Sequence, residues 1–268
     1  MKRSSSQTKL QRRAFTLIEL LVVIAIIAIL AAMLLPVLGR VKEQAKVRQA
    51  QMDMSQLANA IKSYHSTYSR YPVSTNAMQA ATAKKEDFTY YDGTTVLNNA
   101  APMNVAYDAP NSEVMAILMD FSDGTLNTAP LVNNPNWNHQ KNPQKNIFLS
   151  PKMSGYNPSV AGSTPLPGVD VNYVYRDPWG NPYFISMDLN YDDKCMDAVY
   201  RRQAVSQVTA NQPQGYDGLV NSVTANGASD DYSFNGGVMV WSQGTDKAML
   251  RTSKANQPPN KDNVLSWK

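Results

Sequence analysis

The sequence has 268 residues, of which 43% are hydrophobic and 17% are charged, and its isoelectric point is about 9.0. Five basic residues lie in the first 13 positions with no acid among them: Lys2, Arg3, Lys9, Arg12 and Arg13. Without these five, 20 Lys and Arg face 21 Asp and Glu, a net charge of −1, which removes the charge argument for nucleic-acid binding. The single cysteine, Cys195, excludes an intrachain disulfide. With only two histidines as well, no spacing joins a nucleophile to a base, so we expect no catalytic residues.

An apolar run follows the basic leader and is long enough to cross a membrane. From Phe15 to Leu38 the chain has about 24 residues, which at about 1.5 Å per residue span a hydrocarbon core of about 30 Å. Glu19 interrupts the run near its start, where a carboxylate costs a few kcal/mol. A signal peptide cleaved near Ala31 and Ala32, or a plain transmembrane anchor, would explain the apolar run but not Glu19.

The segment from Ala14 to Ile24, AFTLIELLVVI, resembles the prepilin cleavage and methylation segment of type IV pilins and type II secretion pseudopilins. The resemblance implies that a prepilin peptidase cuts between Ala14 and Phe15 and methylates the new amino terminus. It also implies that Glu19 serves filament assembly. The family usually has Gly where this chain has Ala14, so we expect cleavage to persist at a lower rate.

The spacing of Phe15 and Glu19 suits this role. The two residues are four positions apart and therefore lie one turn apart on the same face of a helix. The mature amine of Phe15 is a positive charge in a low-dielectric zone, where Glu19 of a neighbouring subunit would neutralise it. We expect this charge pair to set the axial register between subunits.

The helix is predicted to continue beyond the apolar run. Pro36 predicts a kink, because proline removes a hydrogen bond and clashes with the preceding turn. Apolar residues then recur at spacings of three and four: Val47, Ala50, Met54, Leu57, Ile61, Tyr64 and Tyr68. This amphipathic stripe is expected to pack on a sheet and to end before Tyr71-Pro72.

These features divide the chain into four predicted regions: a leader (1–14), a transmembrane half-helix (15–38), an outer half-helix (39–71) and a globular α+β domain (72–268).

The globular domain is predicted to alternate short helices and strands. Helices are expected at 76–85 and from residue 111 or 112 to Phe121, and strands at 88–92 and 169–175. Residues 127–146, dense in Asn and Pro, are predicted to be a loop. Residues 188–202 are predicted to form a solvated turn entering a short helix from Met196 to Val205.

Asp177 to Tyr183, DPWGNPY, predicts a turn that links two strands and buries a Trp. It is close to a signature of the major pseudopilin of type II secretion. The later segment Ser242-Gln243-Gly244-Thr245-Asp246 is similar to the Ser-x-Gly-x-Asp turn that helps to surround one calcium ion in the G-type pseudopilins.

That resemblance places Asp246 and Asp262 on the two carboxylate ligands of a calcium ion and Gln243 on a backbone-carbonyl ligand. Calcium takes six to eight oxygens, so further carbonyls or waters would be needed. The alternative is that Asp246 pairs with a cation of the intervening loop and that no metal binds. Four cations are available there: Lys247, Arg251, Lys254 and Lys261.

The resemblance implies a pilin-like α+β fold, in which a long N-terminal helix packs on a small antiparallel sheet. It implies a structural pseudopilin of a type II secretion system that assembles into a short periplasmic filament and drives protein export. The alternative is a major or minor type IV pilin used for adhesion, motility or DNA uptake. The expected partners are other copies, minor pseudopilins, the prepilin peptidase and the inner-membrane platform, with no nucleic acid. The expected location is the inner membrane, crossed once, with the leader cytoplasmic and the C-terminal domain periplasmic.

Overall fold

The computed structural model describes residues 16–93, 95–98, 107–123, 125–126 and 132–268. The predicted cleavage junction, Ala14 and Phe15, lies outside these residues. The chain divides into two compact units, the first ending at Ala45 and the second running from Lys46 to Lys268. Four α-helices are described: α1 (Leu17–Tyr68), α2 (Thr75–Lys84), α3 (Ser112–Leu118) and α4 (Gln203–Ser206).

Eleven short strands are described. They are β1 (Phe88–Tyr90), β2 (Thr125–Leu126), β3 (Val132–Asn133), β4 (Gly168–Val169), β5 (Tyr175–Arg176), β6 (Phe184–Met187), β7 (Lys194–Cys195), β8 (Val220–Asn221), β9 (Tyr232–Asn235), β10 (Val238–Ser242) and β11 (Val264–Leu265). The main sheet has the order β1-β6-β10-β11 with every neighbouring pair antiparallel. A second sheet has the order β7-β9-β8.

The first unit consists of the N-terminal part of α1. Among the described residues, α1 is the one helix long and apolar enough to cross a membrane, a criterion that rests on length and composition. The side chains from Leu17 to Leu35 are all exposed, as expected of a segment whose solvent would be lipid. The helix is continuous through Pro36. A bend at this proline therefore stays a prediction.

In the second unit, α1 shows the predicted buried stripe. Ala50, Met54, Leu57, Ile61 and Tyr64 are completely buried, because residues at spacings of three and four share one face of a helix. The helix ends at Tyr68, before Tyr71-Pro72 as predicted. The stripe forms one hydrophobic core with the main sheet, so the predicted α+β architecture is confirmed.

Stacked aromatic rings form the centre of the main sheet. Phe184 on β6 stacks on Trp241 on β10 with ring centroids 3.6 Å apart, and Tyr91 stacks on the other side of Phe184 at 3.8 Å. The register supports this arrangement, because Phe184 and Trp241 are directly paired across the antiparallel strands. Trp241 and Tyr200 form a perpendicular ring pair with centroids 5.2 Å apart.

Other elements follow the predictions closely. α2 matches the predicted helix, and its N-terminus is capped by the Ser74 hydroxyl, which accepts a hydrogen bond from the Ala77 N–H. β1 matches the predicted strand. α3 begins where predicted but ends at Leu118 rather than Phe121, and all seven of its residues are buried.

The predicted strand over 169–175 is wrong. Its two ends form separate strands, β4 and β5, which pair with each other. Between them the carboxylate of Asp170 accepts hydrogen bonds from the N–H groups of Asn172 and Val174, at 2.8 and 3.0 Å. An aspartate that bonds the backbone two residues on forms a turn, so the chain reverses where alternation alone predicted extension.

The prediction for residues 188–202 is wrong in its second half. Cys195 is buried in β7, and the helix there is only α4. Asp197 is completely buried and accepts four hydrogen bonds, from the backbone of Val199 and Tyr200, the Ser186 hydroxyl and the Trp241 indole. This segment therefore belongs to the core, because a buried carboxylate with several donors can anchor a loop.

Candidate functional site

The N-terminus of α1 contains the carboxylate singled out from the sequence. Glu19 Oε2 accepts hydrogen bonds from the backbone N–H and the hydroxyl of Thr16, both at 2.8 Å. In return, the Thr16 hydroxyl accepts a bond from the Glu19 N–H at 3.3 Å. This reciprocal Thr-x-x-Glu arrangement is a capping box. The sequence carries its signature, but our sequence reasoning considered Glu19 only as a partner for another subunit.

The turn from Asp177 to Tyr183 is held by one buried carboxylate. Asp177 accepts hydrogen bonds from the N–H groups of Trp179 and Asn181, and from the Ser242 hydroxyl at 2.5 Å. Burial raises the pKa of Asp177, and the hydrogen bonds from Ser242 and Asn181 oppose that rise. Trp179 is buried as predicted. The turn is therefore fastened to the end of β10, where the predicted calcium loop begins.

Glycine is required at the tightest point of the turn after β10. Gly244 has a φ of +70°, and a Cβ there would lie 2.2 Å from the carbonyl oxygen of Asp262. Its N–H donates to the Ser242 hydroxyl at 3.1 Å. The turn after β10 is thus pressed against the segment that enters β11.

Two of the predicted ligands are brought together by this close approach. The N–H of Asp246 donates to Oδ2 of Asp262 at 3.0 Å, although the two residues are 16 positions apart. Partial burial is the main cause that raises the pKa of the exposed Asp246, and the charge of Asp262 adds to it. The third predicted ligand residue, Gln243, uses its side chain elsewhere, since its Oε1 accepts a bond from the Tyr91 hydroxyl at 3.0 Å.

The surroundings suit a hard cation only in part. Within the described ranges, no group of three or more His, Cys, Asp and Glu side chains could hold a metal. Calcium would therefore rely on the Asp246 and Asp262 carboxylates together with carbonyls and waters. Two of the four loop cations are engaged elsewhere: Arg251 donates to the Val96 carbonyl, and Lys254 to that of Gln207. No described Lys or Arg forms an ion pair with Asp246.

Glu113 is a buried acid that sequence reasoning missed. It lies in the first turn of α3, is 1% exposed and accepts a hydrogen bond from the Tyr107 hydroxyl at 2.6 Å. Burial raises its pKa to about 7, against the lowering effect of that bond. A glutamate in the first turn usually interacts with the helix dipole at the surface, so the sequence carried no signal for its burial.

The fold is pilin-like: a long helix has an apolar N-terminal half, and an antiparallel sheet packs against its outer half. The comparisons with known families agree with this class. Residues 9–35 match the family model for the prokaryotic N-terminal methylation motif. Residues 37–111 match the model for protein G of the type II secretion system. The resemblance drawn from the sequence is therefore confirmed: the chain is similar to the G-type pseudopilins.

The individual relatives include both type II secretion pseudopilins and type IV pilins. The type II secretion system core protein G of Aeromonas hydrophila is 37% identical over 89 residues, which are 32% of this chain and 62% of that protein. That of Pectobacterium carotovorum is 35% identical over 81 residues, 30% of this chain and 52% of that protein. The type IV major pilin PilE1 of Neisseria gonorrhoeae is 31% identical over 103 residues, 38% of this chain and 48% of that protein. The chain thus spans between about half and 62% of the length of the curated relatives it matches. No solved structure matches it.

Proposed function

We propose that this protein is a structural pseudopilin that assembles into a short periplasmic filament of a type II secretion system and drives protein export. The observation that carries the proposal is the match of residues 37–111 to protein G directly after a prepilin methylation motif. The fold supports a mechanical role, because the outer half of α1 is joined to the domain through a completely buried stripe. Force on the helix would therefore reach the domain without a flexible linker.

The proposal includes a route from the membrane to the filament. The apolar N-terminal helix and the prepilin motif anchor the protein in a membrane. We place it in the inner membrane, crossed once, with the leader cytoplasmic and the domain periplasmic. The prepilin peptidase would remove the leader at Ala14, and the inner-membrane platform would draw mature subunits into the filament with minor pseudopilins. The protein would act as a structural subunit, without catalysis.

Glu19 would change partners during assembly. In the single subunit its carboxylate is satisfied locally by Thr16, which lowers the cost of an acid near the start of an apolar helix. In the filament the amine of a neighbouring Phe15 would replace a neutral donor with a charged one. Glu19 would then form an ion pair in a low-dielectric zone, where neither charge can be left unpaired without a large cost, so the exchange favours the assembled state.

A calcium ion at Asp246 and Asp262 is a second part of the proposal. The hydrogen bond from the Asp246 N–H to the Asp262 carboxylate supports it, because it holds the two residues together, as does the absence of an ion pair to Asp246 within the described part of the chain. When bound, calcium would neutralise the two acids and join the turn after β10 to the entry of β11. Asp246 and Asp262 would hold the ion with the backbone carbonyl of Gln243, and its role would be structural.

Deletion of the gene in its natural host tests the function. We expect the secreted proteins to remain in the periplasm, while surface pili and twitching motility are unchanged. Export should return when the wild-type chain is supplied. Loss of pili or of DNA uptake with normal export would support the alternative, a type IV pilin, in line with the 31% identical pilin relative.

A further inference from the structure

A pocket of about 410 Å³ lies beside the outer half of α1 in the second unit. The helix contributes Gln49, Asp53 and Gln56, which follow the i, i+4, i+7 spacing of a single helix face. The opposite wall comes from residues 150–152, from residues 167–168 at the start of β4, and from Tyr175 of β5. None of the features described above uses this pocket.

The pocket contains an acidic side chain that forms no ion pair with a described cation. The carboxylate of Asp53 accepts hydrogen bonds from Gln49 Nε2 at 2.7 Å and from the Tyr183 hydroxyl at 3.1 Å. No described cation forms an ion pair with it, including Lys152 on the exposed rim. A half-buried carboxylate with only neutral donors leaves room for a stronger, charged partner.

The solvent-facing flank of the same helix offers such a partner. A shallow groove there is lined by Arg48, Gln51, Met52, Ser55 and Gln56, and Gln56 separates it from the pocket. The guanidinium of Arg48 is exposed and donates only to Gln51 Oε1, at 3.0 Å, and no described acid pairs with it. Met52 beside it is 56% exposed, so its apolar surface is available to a neighbour.

Arg48 and Asp53 cannot meet within one subunit. They are five positions apart, which separates them by about 140° around the helix, with Arg48 facing away from the buried stripe and Asp53 beside it. Each charge therefore faces away from the other and is available to a neighbour. Exposed apolar residues next to the pocket walls, Met153 and Leu166, are 50% and 47% exposed and would give Met52 an apolar contact.

We propose that the Asp53 pocket receives Arg48 of a second copy of this chain, with Met52 packing on the rim. The inference rests on the proposed filament, and it names the two surfaces that join neighbouring subunits. Because the surfaces differ, the contact is heterologous: each subunit offers its own Asp53 pocket to the next. Repeated contacts of this kind generate an open helical filament unless the rotation closes a ring.

Charge exchange in the full-length protein tests the contact. Arg48→Glu and Asp53→Lys should each lower the yield of sheared filaments about tenfold or more, because each leaves like charges facing in the contact. The double variant restores an opposite-charge pair and should recover at least about half of the wild-type yield. Lys62→Glu is the matched control, since Lys62 is exposed on the same flank of α1 but far from the groove, and should assemble normally. Equal protease resistance of all variants in membranes would show that they fold.

Cysteine cross-linking gives an independent readout. Arg48→Cys combined with Ser150→Cys places thiols on the groove and on the pocket wall, while the native Cys195 is buried. We expect a ladder of cross-linked multimers from the double variant and none from either single variant. Normal filaments from both single charge variants, or no recovery in the double variant, would overturn the contact and leave the filament function standing. A wild-type chain that forms no filaments beside its own secretion platform would overturn both.

Discussion

The backbone N–H of Asp246 donates a hydrogen bond to the carboxylate of Asp262, so the turn after β10 is tied to the segment that enters β11. The same contact brings two acids together at the surface. Their mutual repulsion is a cost that a bound cation would remove.

Calcium should therefore stabilise the folded protein. At a hundredfold excess over Kd a ligand that binds only the folded state adds about 2.7 kcal/mol. For a domain of this size each kcal/mol raises the melting temperature by roughly 2 to 4 °C. We expect the detergent-solubilised protein to melt several degrees higher in millimolar calcium than in chelator, measured by scanning fluorimetry.

Asp246→Asn should abolish this response, because it removes one carboxylate ligand while keeping a similar shape. Asp192→Asn is the control: it removes an acid from a surface loop elsewhere and should leave the calcium response unchanged. Identical melting of the wild-type protein in calcium and in chelator would exclude the metal.

Processing should occur between Ala14 and Phe15. When the cognate prepilin peptidase is co-expressed, intact-mass measurement should show a chain that begins at N-methylated Phe15. Ala14→Gly should increase the processed fraction at early times, because it restores the residue usual in the family. A mature chain beginning near Ala32 would instead establish a cleaved signal peptide.

Glu19 should be needed for assembly more than for insertion. Glu19→Val removes a costly charge from the apolar segment, so membrane insertion should be retained or improved. Sheared filaments should nevertheless fall to background, because the amine of a neighbouring Phe15 loses its partner.

The capping box supplies the control for this experiment. Thr16→Val removes the hydroxyl that caps the helix and donates to Glu19, at a cost of about 1 kcal/mol, but it keeps the backbone N–H donor and the carboxylate. It should assemble nearly as well as the wild type. An equal loss of filaments in both variants would mean that Glu19 acts through helix capping.

Glu113 should make stability depend on pH. Its pKa is raised from 4.5 to about 7, so the folded protein holds a proton that the unfolded chain has lost between these values. The stability that this group provides is complete below about pH 4.5 and is lost as the pH rises through about 7. The total loss is about 3 kcal/mol, from 1.36 kcal/mol per unit of pKa shift.

Glu113→Gln should remove that dependence. Urea midpoints at pH 5 and pH 8 measure it: the variant should gain stability over the wild type at pH 8 and differ little at pH 5. Other buried acids with raised pKa values, such as Asp87 and Asp177, are common to both proteins and cancel in the comparison. An equal difference between the two proteins at both pH values would refute a protonated Glu113.

The sequence alone determined the features that depend on local spacing. The stripe from Ala50 to Tyr64 specified the buried face of α1, because a helix repeats every 3.6 residues whatever surrounds it. The prolines and glycine of Asp177 to Tyr183 specified a turn for the same local reason. The prepilin segment could be recognised from the sequence because its processing and assembly residues, Ala14, Phe15 and Glu19, lie within a few consecutive positions.

Only the tertiary structure decided where the polar groups lie. Alternating Val and Tyr predicted a strand at 169–175, but the Asp170 carboxylate bonds the backbone and turns the chain. Asp197 and Glu113 are of residue types that usually lie at the surface, yet both are buried and accept hydrogen bonds from other segments. The backbone of Asp246 meets the carboxylate of Asp262 across 16 positions. A charged group can be buried only where distant segments supply its hydrogen-bond partners. The spacing of neighbouring residues in the sequence does not show which segments these are.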